Sequence, residues 1–157
     1  MDKQLSAGDA APQFVLESNQ GSKSLSDLQG EWAVLYFYPK DNTPGCTKEA
    51  CDFRDALPGM GAQVLGVSAD DLESHADFAE GHDLPFPLLS DPGGAVAKKY
   101  GSYGEKVISS SGQKYEGVLR STFIIDPQGK VAEAMYNVDH DGHAEKVGER
   151  IRELQGG

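Results

Sequence analysis

Cys46 and Cys51 are the only thiols among the 157 residues, and their surroundings set what they can do. Cys46 closes the run Thr43-Pro44-Gly45-Cys46. If Thr43 caps a helix, Pro44 falls at the first helical position, where its missing N–H costs nothing. Gly45 and Cys46 then occupy the first turn, facing backbone N–H groups that lack intrahelical partners at the positive end of the helix dipole. Helix N-termini and nearby cations favour thiolate over thiol and bring cysteine pKa values down to ~3.5–7.5. The thiolate is the nucleophilic form, so this placement predicts covalent sulfur chemistry. The Thr43 hydroxyl can also donate to the sulfur or to an oxygen approaching it. The bland alternative is an inert, small buried side chain, which placement after Thr-Pro-Gly at a strand-to-helix junction argues against.

Cys51 follows five residues later. On a regular helix that separation puts the two Cα atoms about 8–9 Å apart, beyond the ~7 Å a disulfide tolerates. An intact helix cannot hold a Cys46–Cys51 bridge, and forming one requires the first turns to unwind. Two readings stay open for Cys51: a core-facing side chain beside Phe37 and Phe53, or a second thiol that captures a reacted Cys46 after local unfolding.

The elements around the thiols follow from hydrophobic periodicity. Residues 32–38 are apolar on both faces, as in a central strand covered on each side, and Pro39 ends the run. A helix is expected over 43–57, with Phe53 and Leu57 one turn apart and Pro58-Gly59 as its stop. Further strands are expected at 14–16, 63–68 and 85–89, with 19–22 a polar turn and 24–28 one helical turn. A helix starting at Asp70 or Asp71 is expected to turn Leu72, Ala76 and Ala79 inward and to end at Gly81, and another spans 92–100 with Gly101 behind it. Residues 102–117 read as an exposed loop with room for one local hairpin. Asp126-Pro127-Gln128-Gly129 is a turn joining strands at 121–125 and 131–136. The last helix, 143–155, sets Ala144, Val147, Ile151 and Leu154 on one face. Alternating strand and helix units predict one α/β domain over 1–157, a mixed sheet flanked by helices on both faces.

Composition bounds the partners. Fourteen Lys and Arg stand against 25 Asp and Glu, a net charge of −11. The absence of a basic cluster argues against nucleic acid and against docking on an anionic membrane, and no apolar stretch approaches the ~20 residues of a membrane span. The N-terminal residues lack the apolar segment of a secretory signal, and two cysteines are too few for a disulfide framework or a four-thiolate zinc site. A reducing, cytoplasmic setting is the simplest expectation.

The run Tyr36-Phe37-Tyr38-Pro39-Lys40-Asp41-Asn42-Thr43-Pro44-Gly45-Cys46-Thr47-Lys48-Glu49-Ala50-Cys51-Asp52-Phe53-Arg54-Asp55 closely resembles the active-site signature of the peroxiredoxins, in their bacterioferritin comigratory protein or peroxiredoxin Q branch. The likeness continues through Leu88-Leu89-Ser90-Asp91 and Arg120-Ser121-Thr122-Phe123-Ile124-Ile125-Asp126. It implies a thioredoxin-like fold and a thiol peroxidase that uses neither metal nor haem, reduces hydrogen peroxide and organic hydroperoxides, is recycled by thioredoxin or a similar dithiol protein, and works as a monomer. By the same resemblance Cys46 is the peroxidatic cysteine, Thr43 its hydroxyl partner, Pro39 a shield for the sulfenate and Arg120 the active-site arginine. Glu49 matches the acidic residue that orients the arginine. Cys51 matches the resolving cysteine that forms an intramolecular disulfide after local unfolding.

These roles agree with the chemistry of O–O cleavage, an in-line displacement in which sulfur attacks one oxygen while the other leaves with growing negative charge. Backbone N–H groups of Gly45 and Cys46, the Thr43 hydroxyl and the Arg120 guanidinium are donors suited to that charge. Two other functions fit the thiols: a general thiol–disulfide oxidoreductase, disfavoured by the C-x4-C spacing, and a non-enzymatic redox sensor or holdase. Asp139-His140-Asp141-Gly142-His143 matches no metal spacing and reads as a polar loop before the last helix, and His75 and His82 read as solvent-facing.

Overall fold

The computed structural model describes residues 4–39, 41, 43–57, 61–107, 112, 114–136, 138 and 142–156. Nine strands are described: β1 (Val15–Ser18), β2 (Gly21–Ser24), β3 (Ala33–Phe37), β4 (Gln63–Ser68), β5 (Leu88–Ser90), β6 (Tyr103–Val107), β7 (Lys114–Val118), β8 (Ser121–Ile125) and β9 (Val131–Met135). The helices are α1 (Pro44–Ala56), α2 (Leu72–Gly81), α3 (Ala95–Lys99) and α4 (His143–Gly156), with short 3-10 turns at Leu25–Leu28 and Pro92–Gly94. Seven strands form one mixed sheet in the order β2-β1-β5-β4-β3-β8-β9. β3 runs parallel to β4 and β4 to β5, whereas β8 runs antiparallel to both β3 and β9. β6 and β7 pair in a separate two-stranded sheet.

β3 is buried along its whole length, and its two-residue period divides the core. Ala33, Leu35 and Phe37 join Leu25, Leu28, Val96, Ala97 and Tyr100 on one face of the sheet. Val34, Tyr36 and Tyr38 join Cys46, Ala50, Phe53, Phe78, Ala144, Val147 and Ile151 on the other. Helices α1, α2 and α4 therefore cover the face toward which Cys46 points. Among the described residues, no helix is long and apolar enough to cross a membrane.

The mixed sheet, the helix beginning after Thr43, the Asp126–Gly129 turn and the amphipathic last helix agree with the sequence reading, and residues 102–117 hold a hairpin. Four details differ. Residues 21–24, read in part as a polar turn, form β2, an edge strand whose Gly-Ser-Lys-Ser composition carries no apolar alternation to announce it. The strand expected over 85–89 starts at Leu88, since Pro85 and Pro87 have no N–H to give a ladder. The helix expected over 92–100 is broken, because Gly93 and Gly94 take φ of 71° and 72°. Finally α2 is rotated from its expected face: His75, Phe78 and Ala79 are buried, and Leu72 and Ala76 are exposed. Pro58-Gly59 and residues 108–111 lie outside the described residues.

Gly94 meets two constraints at once, a left-handed backbone and a neighbour that would lie 2.7 Å from an added Cβ, the Tyr103 ring. Gly94→Ala is expected to cost ~1–3 kcal/mol, a fall in Tm of about 2–4 °C per kcal/mol for a chain of this size. Thermal melts followed by circular dichroism measure it.

Candidate active site

Two connections from separate parts of the chain meet above α1. β3 leaves the sheet at Phe37, Tyr38 still donates its N–H to the Val67 carbonyl at 3.0 Å, and the chain then reaches α1 through Pro39 and Thr43. Thr43 is the N-cap residue, in extended conformation, and Pro44 stands at the first helical position. The Thr43 carbonyl accepts from the Thr47 N–H at 2.8 Å, while its hydroxyl makes no cap hydrogen bond. On the far side of β3, antiparallel pairing sets Phe37 opposite Ser121. The residue before β8, Arg120, is thereby delivered to the same end of the sheet as the start of α1.

The guanidinium bridges two residues of the helix. Arg120 Nη2 donates to Cys46 Sγ at 3.2 Å and Nη1 to Glu49 Oε1 at 2.5 Å. Cys46 and Glu49 stand three residues apart, one turn along a single helix face, and are exposed by only 1% and 0%. Burial pushes the Glu49 carboxyl up to about 7, with the pull of Arg120 opposing it. Arg120 is partly buried, which works against its charge, but Glu49 and Cys46 more than compensate and raise it above the usual arginine value. Glu49 Oε2 and the Tyr36 hydroxyl are both buried without a hydrogen-bond partner. Burial, with Glu49 and Cys46 nearby, keeps Tyr36 a neutral phenol.

Pro39, Thr43 and Gly45 are each half-buried around this group. Cys51, also half-buried, lies on the same unbroken helix, and both thiols are free. Its sulfur lies 3.9 Å from His82 Nδ1, and Arg54, one turn further along α1, donates to the His82 carbonyl at 2.7 Å. The structure thus gathers Cys46, Glu49 and Arg120 into direct contact, sets Thr43 and Gly45 at the start of the same helix and Pro39 on the connection leading to it, and holds Cys51 further along.

The histidines depart from the sequence reading. His75 is fully buried and hydrogen-bonded at both ring nitrogens, and His82 turns its ring to Cys51. Spacing could have revealed the first, since His75, Phe78 and Ala79 recur at three and four residues. His143 opens α4, where the helix expected over 143–155 begins, but instead of closing a polar loop it is buried against Phe53, with Nε2 at 2.7 Å from Thr122 Oγ1. Burial and the nearby Arg120 charge lower it to about 4, so the ring is neutral at pH 7. Asp139, His140 and Asp141 lie outside the described residues.

Residues 7–134 match the model of the AhpC/TSA family. A Mycobacterium tuberculosis relative is 46% identical over 147 residues, covering 91% of this chain and 92% of its own. The Bacillus subtilis peroxiredoxin Bcp is 39% identical over 151 residues, covering 94% of this chain and 95% of its own. Among solved structures, the Xanthomonas campestris bacterioferritin comigratory protein, described with alkyl peroxide reduction activity, superposes with a TM-score of 0.85 at 34% identity, over 98% of this chain and 99% of that one. The fold is accordingly thioredoxin-like, as such relatives have it. With a cysteine at a helix N-terminus beneath a partly buried arginine, and matched along nearly its whole length by these proteins, this chain belongs to the AhpC/TSA family, among the Bcp and peroxiredoxin Q members.

Proposed function

We propose that this protein is a thiol peroxidase for hydrogen peroxide and organic hydroperoxides, with Cys46 as the attacking thiol. The observation that carries the reading is the Arg120 guanidinium, held by buried Glu49 with its other nitrogen 3.2 Å from Cys46 Sγ. A cation in that position lies beside both the thiolate and any peroxide bound to it.

In the first step the Cys46 thiolate attacks one peroxide oxygen. An S–O bond forms, the O–O bond breaks, and the departing oxygen takes up a proton to leave as water or an alcohol. Sulfur is oxidised to the sulfenic acid and the peroxide is reduced by the same two electrons. Arg120, the Thr43 hydroxyl and the N–H groups of Gly45 and Cys46 supply preorganised donors for the developing charge, and Pro39 shields the sulfenate. In the second step the Cys51 thiolate attacks the sulfenic sulfur, the S–S bond forms and hydroxide leaves, becoming water on protonation. The unbroken α1 supports a requirement for unwinding here, because helix geometry keeps the two sulfurs' backbones too far apart. His82 Nδ1 stands 3.9 Å from the Cys51 sulfur. A dithiol protein such as thioredoxin then returns both thiols, and the protein does this as a monomer in the cytoplasm.

Three variants and a pH series test the reading. Cys46→Ser is expected to abolish peroxide-dependent NADPH oxidation coupled through thioredoxin reductase and thioredoxin. Cys51→Ser should keep the first turnover and lose recycling, and unchanged steady-state turnover would remove it from the cycle. Arg120→Ala should slow single-turnover oxidation by ~10²–10³, the loss typical of one preorganised donor, with an unchanged circular dichroism spectrum.

Glu49 predicts a pH effect on stability. Its folded-state value, about 7, lies above the 4.5 of an ordinary glutamate, so the unfolded chain releases this proton first as pH rises. Stability from this group is then full below pH 4.5 and falls as pH climbs toward 7, by a few kcal/mol. Glu49→Gln should flatten that part of the denaturation profile and also slow peroxide reduction, because Arg120 loses its charged anchor; an unchanged profile would contradict the assignment.

A further inference from the structure

A second buried polar group lies beside the site, and the steps above do not use it. Asp41 belongs to the connection between β3 and α1, two residues after Pro39 and two before Thr43, and is only 4% exposed. Its Oδ1 accepts from the Tyr38 hydroxyl at 2.6 Å, and its Oδ2 accepts from Ser74 Oγ at 2.8 Å and faces His75 Nδ1 at 2.7 Å. The opposite ring nitrogen, His75 Nε2, lies 2.9 Å from the Leu89 carbonyl oxygen. The Asp41 backbone N–H donates to Asp70 Oδ2 at 2.7 Å, an oxygen that also accepts from Ser68 Oγ. One residue of a connecting segment is therefore tied to the end of β3, to α2, to the segment after β4 and, through His75, to β5.

Proton accounting makes the tie specific. A carbonyl only accepts, so Nε2 must carry a hydrogen toward Leu89. Nδ1 and Oδ2 can be bonded only if one further proton lies between them, on the ring or on the carboxyl. In either form the pair is net neutral, as its burial requires, and turning the ring would orphan buried partners on both sides.

We infer that His75 is a positioning residue of the peroxidase site. Braced against Leu89, it sets the Asp41 carboxyl, and through Asp41 and Tyr38 it sets the turn that carries Pro39 and Thr43 to the start of α1. The inference rests on the peroxidase reading. It makes an asymmetric demand on the cycle: attack on peroxide requires the assembled turn, whereas disulfide formation requires the first turns of α1 to open. Loss of the brace should therefore slow the first step and spare or speed the second.

Single-turnover oxidation of the reduced full-length protein by hydrogen peroxide, quenched and read by mass spectrometry, resolves the two steps. In His75→Ala and Asp41→Ala the rate constant for Cys46 oxidation is expected to fall by about tenfold or more, since small misplacements cost rates of that order, with disulfide formation unchanged or faster. Asp41→Asn should recover most of the loss: its amide can donate to Nδ1 of a neutral His75 while its oxygen still accepts from Tyr38. Tyr38→Phe, which removes one hydroxyl and keeps the packing, should slow the same step several-fold and serves if the alanine variants fail to fold. Folded variants that oxidise Cys46 at the wild-type rate would overturn the inference. A parallel fall in both steps, with Asp41→Asn no better than Asp41→Ala, would overturn it too. A wild-type protein that leaves peroxide intact would instead sink the peroxidase reading and this inference with it.

Discussion

The register between β3 and β8 is the constraint on which the site depends. Pairing Phe37 with Ser121 places the exit of one strand beside the entrance of the other, and so puts Arg120 over the first turn of α1 across 74 positions of sequence. A one-residue slip would send every side chain of β8 to the opposite face of the sheet. That register is held because both strands are fully buried, with Ile124 packed on the α1 side and Phe123 and Ile125 on the other. The chemistry at the thiol is thus secured by apolar packing some distance from it.

The same arrangement requires a buried charge. Glu49 is wholly enclosed, with one oxygen paired to Arg120 and the other unpartnered. Taking a carboxylate out of water costs more than a surface pair could return, and an apolar residue in place of Glu49 alone would leave the Arg120 guanidinium, only 16% exposed, without its partner. What Glu49 supplies is orientation: it takes one guanidinium nitrogen and leaves another directed at sulfur. Tension between burial and pairing is what moves its carboxyl into the physiological pH range.

The proposed cycle sets helix α1 two opposed requirements. Its first turn offers unpaired N–H groups to Cys46, which needs the helix formed. Its regular spacing holds Cys51 out of disulfide reach, which makes the bridged state incompatible with the same turns. Phe53 and Ala50 pack the middle of the helix against the sheet and α4. Arg54 fastens the helix to the end of α2 beside His82. Contacts of this kind set which part of a helix opens at least cost.

Local chemistry was readable wherever it depends on neighbours in the chain. The cap at Thr43, the strand ended by Pro39, the spacing of the two thiols and the alternation of strands and helices all rest on short-range rules, and the motif from Tyr36 to Asp55 carried the family. Reading failed where a residue's partner is distant or its signal weak. Polar β2 shows no alternation, and α2 was rotated because Leu72 looked like the better core residue than a histidine. Spacing with Phe78 and Ala79 allows His75 on the inner face, but only the tertiary structure supplies what makes its burial tolerable, Asp41 and the Leu89 carbonyl, 34 and 14 positions away. Only it brought Cys51 to His82, whereas the pairing of Arg120 with Glu49 was already implied by the family resemblance. Helix capping and spacing are properties of adjacent residues, whereas the worth of a buried charge is set by what the sheet register places against it.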